Sequence, residues 1–117
     1  MTSLVACLGD EKGTVLHVAK IIEGKEWDKV FLITDKKVKD LFDNKNVKII
    51  LINPNKFLSE LVEEIKSKLD GQINDTEVAL NMISGDGKQH MAVLCALLKL
   101  GLGIRMVALT KQGVKEI

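Results

Sequence analysis

Residues 77–100 read EVALNMISGDGKQHMAVLCALLKL, and this stretch decides the fold. It begins with a strand-like apolar run, passes through a glycine-containing turn and continues as a long apolar segment with helical spacing. A strand that enters a helix through such a turn presents free backbone N–H groups and the positive end of the helix dipole at one point. The pattern predicts a strand–turn–helix unit with an anion-binding turn, and a plain strand-to-helix connection would show the same glycines.

The turn contains the main candidates for ligand contact. Lys88 falls in the first turn of the predicted helix, where a positive charge is unfavourable unless an anion offsets it. His90 follows in the same helix and is a second candidate contact, although an exposed or internally bonded histidine would fit equally well. The predicted ligand-binding residues of this loop are Ser84, Gly85, Asp86, Gly87, Lys88 and His90.

Apolar strands and amphipathic helices alternate along the whole chain of 117 residues. The strands are unbroken apolar runs, which is typical of a parallel sheet covered on both faces. We therefore predict a single α/β domain over residues 1–117, a doubly wound, Rossmann-like fold with a mainly parallel sheet of five or six strands and helices on both faces. Predicted strands are 3–8, 29–34, 47–52, 77–83, 104–109 and an edge strand at 111–117, and predicted helices are 14–23, 36–42, 56–69 and one beginning near residue 88.

Ligands of such folds bind outside the carboxyl ends of the strands, where the strand order reverses. The loops after the first and fourth strands should be neighbours there and form one crevice. Thr14 has two interpretations, as the N-cap of the first helix or as a hydroxyl that contacts phosphate or ribose. The predicted ligand-binding residues of the first loop are Gly9, Asp10, Glu11, Lys12, Gly13 and Thr14.

Composition excludes several classes of protein. A formal net charge of +1 and an aromatic content of 3% argue against DNA binding and against a stacking surface for single strands. The first residues lack the pattern of a signal peptide, and no apolar stretch reaches the roughly 20 residues of a membrane span. Cys7 and Cys95 lack metal-type spacing and fit a reducing cytoplasm. We expect a cytoplasmic protein without cofactor, and without a metal at Asp10, Glu11, Asp86 or His90.

Residues 81–91, NMISGDGKQHM, resemble the signature of CARF domains, the CRISPR-associated Rossmann-fold modules. The match lies in Ser84, Gly85, Lys88 and Met91, whereas Asp86 and Gly87 stand where the family usually has Gly and Thr. The resemblance implies a stand-alone homodimer that binds cyclic oligoadenylate, a ring of AMP units, in antiviral defence. Family members that carry no effector domain include ring nucleases, which open the ring that they bind.

The segment 91–100 is apolar nearly all round. A helix on a sheet buries one face within its own chain, so this pattern predicts a homodimer through the second face. The alternative is coverage by the chain's own termini. We take Leu97 as an outward residue of the interface. One stripe consists of Met91, Leu94, Cys95 and Leu98, and the other side of Ala92, Val93, Ala96, Leu97 and Leu100.

The sequence leaves two functional classes open. One is a non-enzymatic sensor of cyclic oligoadenylate, or a sensor or interaction module for another anionic nucleotide. The other is a metal-independent ring nuclease, in which a ribose 2′-hydroxyl attacks the adjacent phosphate. For that reaction Lys88 would stabilise charge on the phosphoryl oxygens and Thr14 would position the ribose.

Overall fold

A computed structural model describes residues 2–36 and 46–117 of the chain. Its six-stranded sheet has the order β3-β2-β1-β4-β5-β6, with parallel pairing throughout except between β5 and β6. This confirms the predicted α/β fold with a mainly parallel sheet. The strands are β1 (Leu4–Cys7), β2 (Val30–Thr34), β3 (Val47–Leu51), β4 (Glu77–Asn81), β5 (Gly103–Thr110) and β6 (Gly113–Glu116), and the helices are α1 (Lys12–Gly24), α2 (Leu58–Leu69) and α3 (Gly87–Lys99).

The interior strands β1 and β2 are buried along their whole length. Successive side chains of a strand point to opposite faces of the sheet. On β1, Leu4 and Ala6 therefore join the core on the α1 side, whereas Val5 and Cys7 join the core on the α2 and α3 side. Helices cover both faces, which explains why these strands are continuous apolar runs.

Helix α1 begins two residues earlier than predicted, at Lys12, and Glu11 occupies the N-cap position. The prediction of Thr14 as the N-cap is therefore wrong. Val18 and Ile21 of this helix are buried against the sheet, and Val15, Ala19 and Ile22 are partly buried beside them. The predicted helix at 36–42 falls almost entirely outside the described residues.

Helix α3 orients its two apolar sides differently from the prediction. Leu97 is fully buried together with Ala92, Val93 and Ala96, and this side packs into the core shared with α2. The expectation that Leu97 faces outward is wrong, because the small alanine side chains on the same side allow a close approach to the core. Met91 and Leu98 remain 55% and 60% exposed.

Candidate functional site

The sheet reverses its strand order between β1 and β4. These strands are parallel neighbours, with Ala6 paired to Asn81. The chain continues from β1 towards β2 on one side of the pair and from β4 towards β5 on the other. The two loops diverge there and open a crevice at the carboxyl edge, as predicted for the loops after the first and fourth strands.

A buried serine joins the two loops. Ser84 Oγ accepts a hydrogen bond of 2.8 Å from the backbone N–H of Gly9, and it lies 3.1 Å from Thr14 Oγ1. Thr14 also donates to the backbone oxygen of Glu11 at 3.0 Å. The serine is 1% exposed. Both hydroxyls that the sequence offers to a ligand therefore hold the loops together.

The crevice contains a pocket of about 250 Å³, which is called the cleft below. Part of the predicted site lines it, and Lys12, Gly13, Ser84, Gly87 and His90 do not. The predicted residues that line the cleft are Gly9, Asp10, Glu11, Thr14, Gly85, Asp86 and Lys88.

Other lining residues were missed by the sequence analysis. Asp35 follows β2, and Ile52 and Pro54 follow β3, so these residues lie at the same carboxyl edge. Applying the strand-end rule to every strand, rather than to the first and fourth alone, would have found them. The remaining lining residues are Leu8, Leu61, Ile83 and Gln89.

Asp86 caps the N-terminus of helix α3. Its carboxylate accepts a hydrogen bond of 2.8 Å from the backbone N–H of Gln89. A negative charge at this position interacts favourably with the helix dipole. The charge that the sequence analysis assigned to an external anion is thus supplied in part by the protein itself.

Lys88 and His90 both make contacts within the chain. Lys88 Nζ donates to the carbonyl oxygen of Pro54 at 2.8 Å, which connects α3 to the loop after β3. His90 Nε2 lies 2.7 Å from the carbonyl oxygen of Ser84. Because a carbonyl only accepts, this nitrogen carries the proton and fixes the orientation of the Ser84 peptide. His90 therefore supports the loop, whereas Lys88 also lines the cleft.

Acidic residues outnumber basic ones in the described lining of the cleft. Among its described lining residues, four carry carboxylates and one carries an ammonium group. The acidic residues are Asp10, Glu11, Asp35 and Asp86, and the basic residue is Lys88. Lys36 forms a surface ion pair with Asp10 and offsets part of that charge. A ligand that enters this cleft therefore meets more hydrogen-bond acceptors than cationic donors.

Cys7 does not supply a nucleophile to this site. Burial, with a smaller contribution from the charge of Asp86, raises the pKa of its thiol to about 12. The thiol is therefore protonated at neutral pH, and a protonated thiol is a poor nucleophile. Its role is packing on the α2 and α3 side of the sheet.

Neither a metal cluster nor a membrane span is found in the parts of the chain that the structure describes. Residues 2–36 and 46–117 contain no group of three His, Cys, Asp or Glu side chains placed to hold a metal ion. None of the helices in those ranges combines the length with the apolar character needed to cross a bilayer.

Comparisons of the chain with protein-family models, with curated proteins and with solved structures give no match. The fold and the cleft alone define the class of protein, a Rossmann-like α/β domain with a cleft at its strand-order reversal.

We expect Gly9→Ala to destabilise the protein by about 1–3 kcal/mol, the usual cost of overpacking. An added Cβ would lie 2.8 Å from the Gly85 nitrogen and 2.9 Å from its Cα, and backbone atoms cannot move aside as a side-chain end can. Urea unfolding monitored by circular dichroism measures the loss. Gly87→Ala is the matched control, because an added Cβ there meets nothing within 4 Å. Equal stability of the two variants would contradict the close approach of the loops.

Proposed function

We propose that this protein is a homodimer that binds cyclic oligoadenylate at the crevice between the β1 and β4 loops. The observation that carries the proposal is the junction of these loops through Ser84, which brings Thr14 and Lys88 to one cleft at the strand-order reversal. The resemblance of residues 81–91 to the CARF signature supplies the identity of the ligand.

The phosphates of the ring would bind at the N-terminus of α3. The Asp86 carboxylate accepts the hydrogen bond from the backbone N–H of Gln89. The backbone N–H groups of Gly87 and Lys88 have no acceptor among the described residues. These two N–H groups suit a phosphate oxygen. The Lys88 side chain is exposed, and a lysine has four rotatable bonds before its ammonium group, so this group can turn from Pro54 to the same phosphate.

The acidic lining favours a second candidate function, a non-enzymatic sensor or interaction module for a less highly charged anionic nucleotide. Asp35 and Glu11 add negative charge beside the path of any phosphate. Like charges at close range disfavour binding. A nucleotide with a single phosphate at the N-terminus of α3 would experience less of this repulsion than a ring of phosphates.

The dimer of this proposal forms through the outer side of α3. Met91 and Leu98 are more than half exposed there, and Leu94 and Cys95 beside them are partly buried. Contiguous exposed apolar surface of this kind marks interaction sites. In a two-fold dimer the same surface of each subunit contacts the other, so one apolar patch serves both.

Ring opening, where it occurs, would proceed without a metal. The 2′-hydroxyl oxygen of one ribose gives up its proton to solvent and bonds to the adjacent phosphorus. The bond from phosphorus to the 5′-oxygen breaks, and that oxygen takes up a proton from solvent. The product is a linear strand that ends in a 2′,3′-cyclic phosphate. Lys88 would stabilise the charge on the phosphoryl oxygens, and Thr14 would contact the ribose.

Cyclic tetra-adenylate should raise the melting temperature of the protein, because a ligand that binds the native state stabilises it. Lys88→Ala should weaken the affinity by about tenfold or more, the effect of losing a hydrogen bond to a charged group. Thermal shift and calorimetric titration provide the measurements. Lys20→Ala on α1 removes the same charge away from the cleft and should bind as the unaltered protein does. An unchanged melting temperature at saturating ligand would refute the proposed ligand.

Cleavage of cyclic tetra-adenylate should continue in EDTA, because the proposed stabilisers are an ammonium group and backbone dipoles. Lys88→Ala should slow it by roughly 100-fold or more, as when one stabiliser of transition-state charge is removed. Chromatography of the products over time gives both rates. Binding without any product would identify a sensor, and an unchanged rate in Lys88→Ala would remove this residue from the mechanism.

Replacing Leu98 with Glu should dissociate the homodimer, because an unpaired charge in an apolar interface is costly. Light scattering at micromolar concentration should give the mass of a dimer for the unaltered protein and of a monomer for Leu98→Glu. Leu16→Glu is the control, since Leu16 is 55% exposed on α1, in the opposite layer. A monomer mass for the unaltered protein would exclude the dimer.

A further inference from the structure

Gln89 presents a fixed hydrogen-bond acceptor in the wall of the cleft. The residue is 8% exposed and lines the cleft from the first turn of α3. Its Nε2 donates to the carbonyl oxygen of Ile33, at the end of β2, at 2.8 Å. Because Ile33 O can only accept, this bond fixes which end of the amide is the oxygen. No described residue donates to Gln89 Oε1, so the oxygen is available to a ligand.

Gly85 creates the space for this oxygen. A Cβ at position 85 would lie 1.9 Å from Gln89 Oε1, so the amide oxygen lies against the bare Cα of the glycine. The backbone of Gly85 has a φ of +96°, a conformation that favours glycine. The turn of residues 84–88 therefore shapes the polar wall of the cleft in addition to starting α3.

The other walls of the cleft are apolar or negatively charged. Leu8, Ile52 and Leu61 are buried side chains that line it, and Ile83 adds an exposed apolar edge. The polar groups beside them are mainly carboxylates. Apolar walls with acceptors at one edge suit a flat heteroaromatic ring that carries N–H donors, whereas a phosphate would find few donors.

We infer that the cleft holds the amino-bearing nucleobase of the ligand and that Gln89 Oε1 is its specificity-determining group, accepting a hydrogen bond from the exocyclic amine. The inference rests on the proposed function for the choice of adenine as the base. It assigns the base to the cleft and leaves the phosphate to the N-terminus of α3. An acceptor that is already held in place favours a donor and opposes a carbonyl at the same position.

Adenosine and inosine test this without any phosphate, because inosine has a carbonyl where adenosine has the amine. The full chain should bind adenosine about tenfold or more tightly than inosine, the effect of one satisfied against one unsatisfied hydrogen bond. Titrations followed by NMR give the two dissociation constants. In Gln89→Met the ratio should fall to about one, and a purely structural role for Gln89 would leave the ratio unchanged.

Gly85→Ala provides a second variant, because its Cβ would displace Gln89 Oε1 while Gln89 itself stays in the chain. The ratio should fall here as well. Gly101→Ala is the matched control, since Gly101 also has a positive φ, +75°, but an added Cβ there meets nothing within 4 Å. It should incur a similar backbone strain and keep the preference for adenosine.

The outcomes separate this inference from the proposed function. A preference for adenosine that depends on Gln89 supports the inference even if cyclic tetra-adenylate fails to bind. Equal binding of adenosine and inosine, or no binding of either nucleoside, overturns it even if cyclic tetra-adenylate raises the melting temperature. A preference that survives in both Gln89→Met and Gly85→Ala also overturns it.

Discussion

The hydrogen bond from the Gly9 backbone N–H to Ser84 Oγ is the interaction on which the site depends. It joins the ends of β1 and β4, the two strands between which the strand order reverses. His90 holds the carbonyl oxygen of the same serine, so Ser84 is fixed on both sides. Loss of these contacts would allow the two loops to open independently, because loops with few contacts have low local stability.

The fold could be predicted from the sequence because its information is local and periodic. Continuous apolar strands alternating with amphipathic helices specify a covered parallel sheet, and the two neighbouring loops follow from its topology. Which side of α3 is buried in the core could not be predicted in the same way. Both of its sides are apolar, so periodicity does not distinguish Leu97, which is buried, from Leu98, which is 60% exposed.

The roles of individual site residues depend on contacts that no local pattern encodes. Glu11 rather than Thr14 caps α1, and the Thr14 hydroxyl lies 3.1 Å from the hydroxyl of Ser84, 70 residues away. Asp86 departs from the motif that the turn resembles, and its carboxylate caps α3. A glutamine in a helix has no sequence signature, and the amide of Gln89 is oriented by its hydrogen bond to Ile33, 56 residues away.

The antiparallel strand β6 forms one edge of the sheet, and this edge strand is short and polar. It has four residues, and Arg105 on neighbouring β5 forms ion pairs with Glu116 on β6 and with Glu77 on β4. Short, charged edge strands discourage the addition of strands from other molecules. This edge is therefore protected against the growth of intermolecular sheets and aggregates.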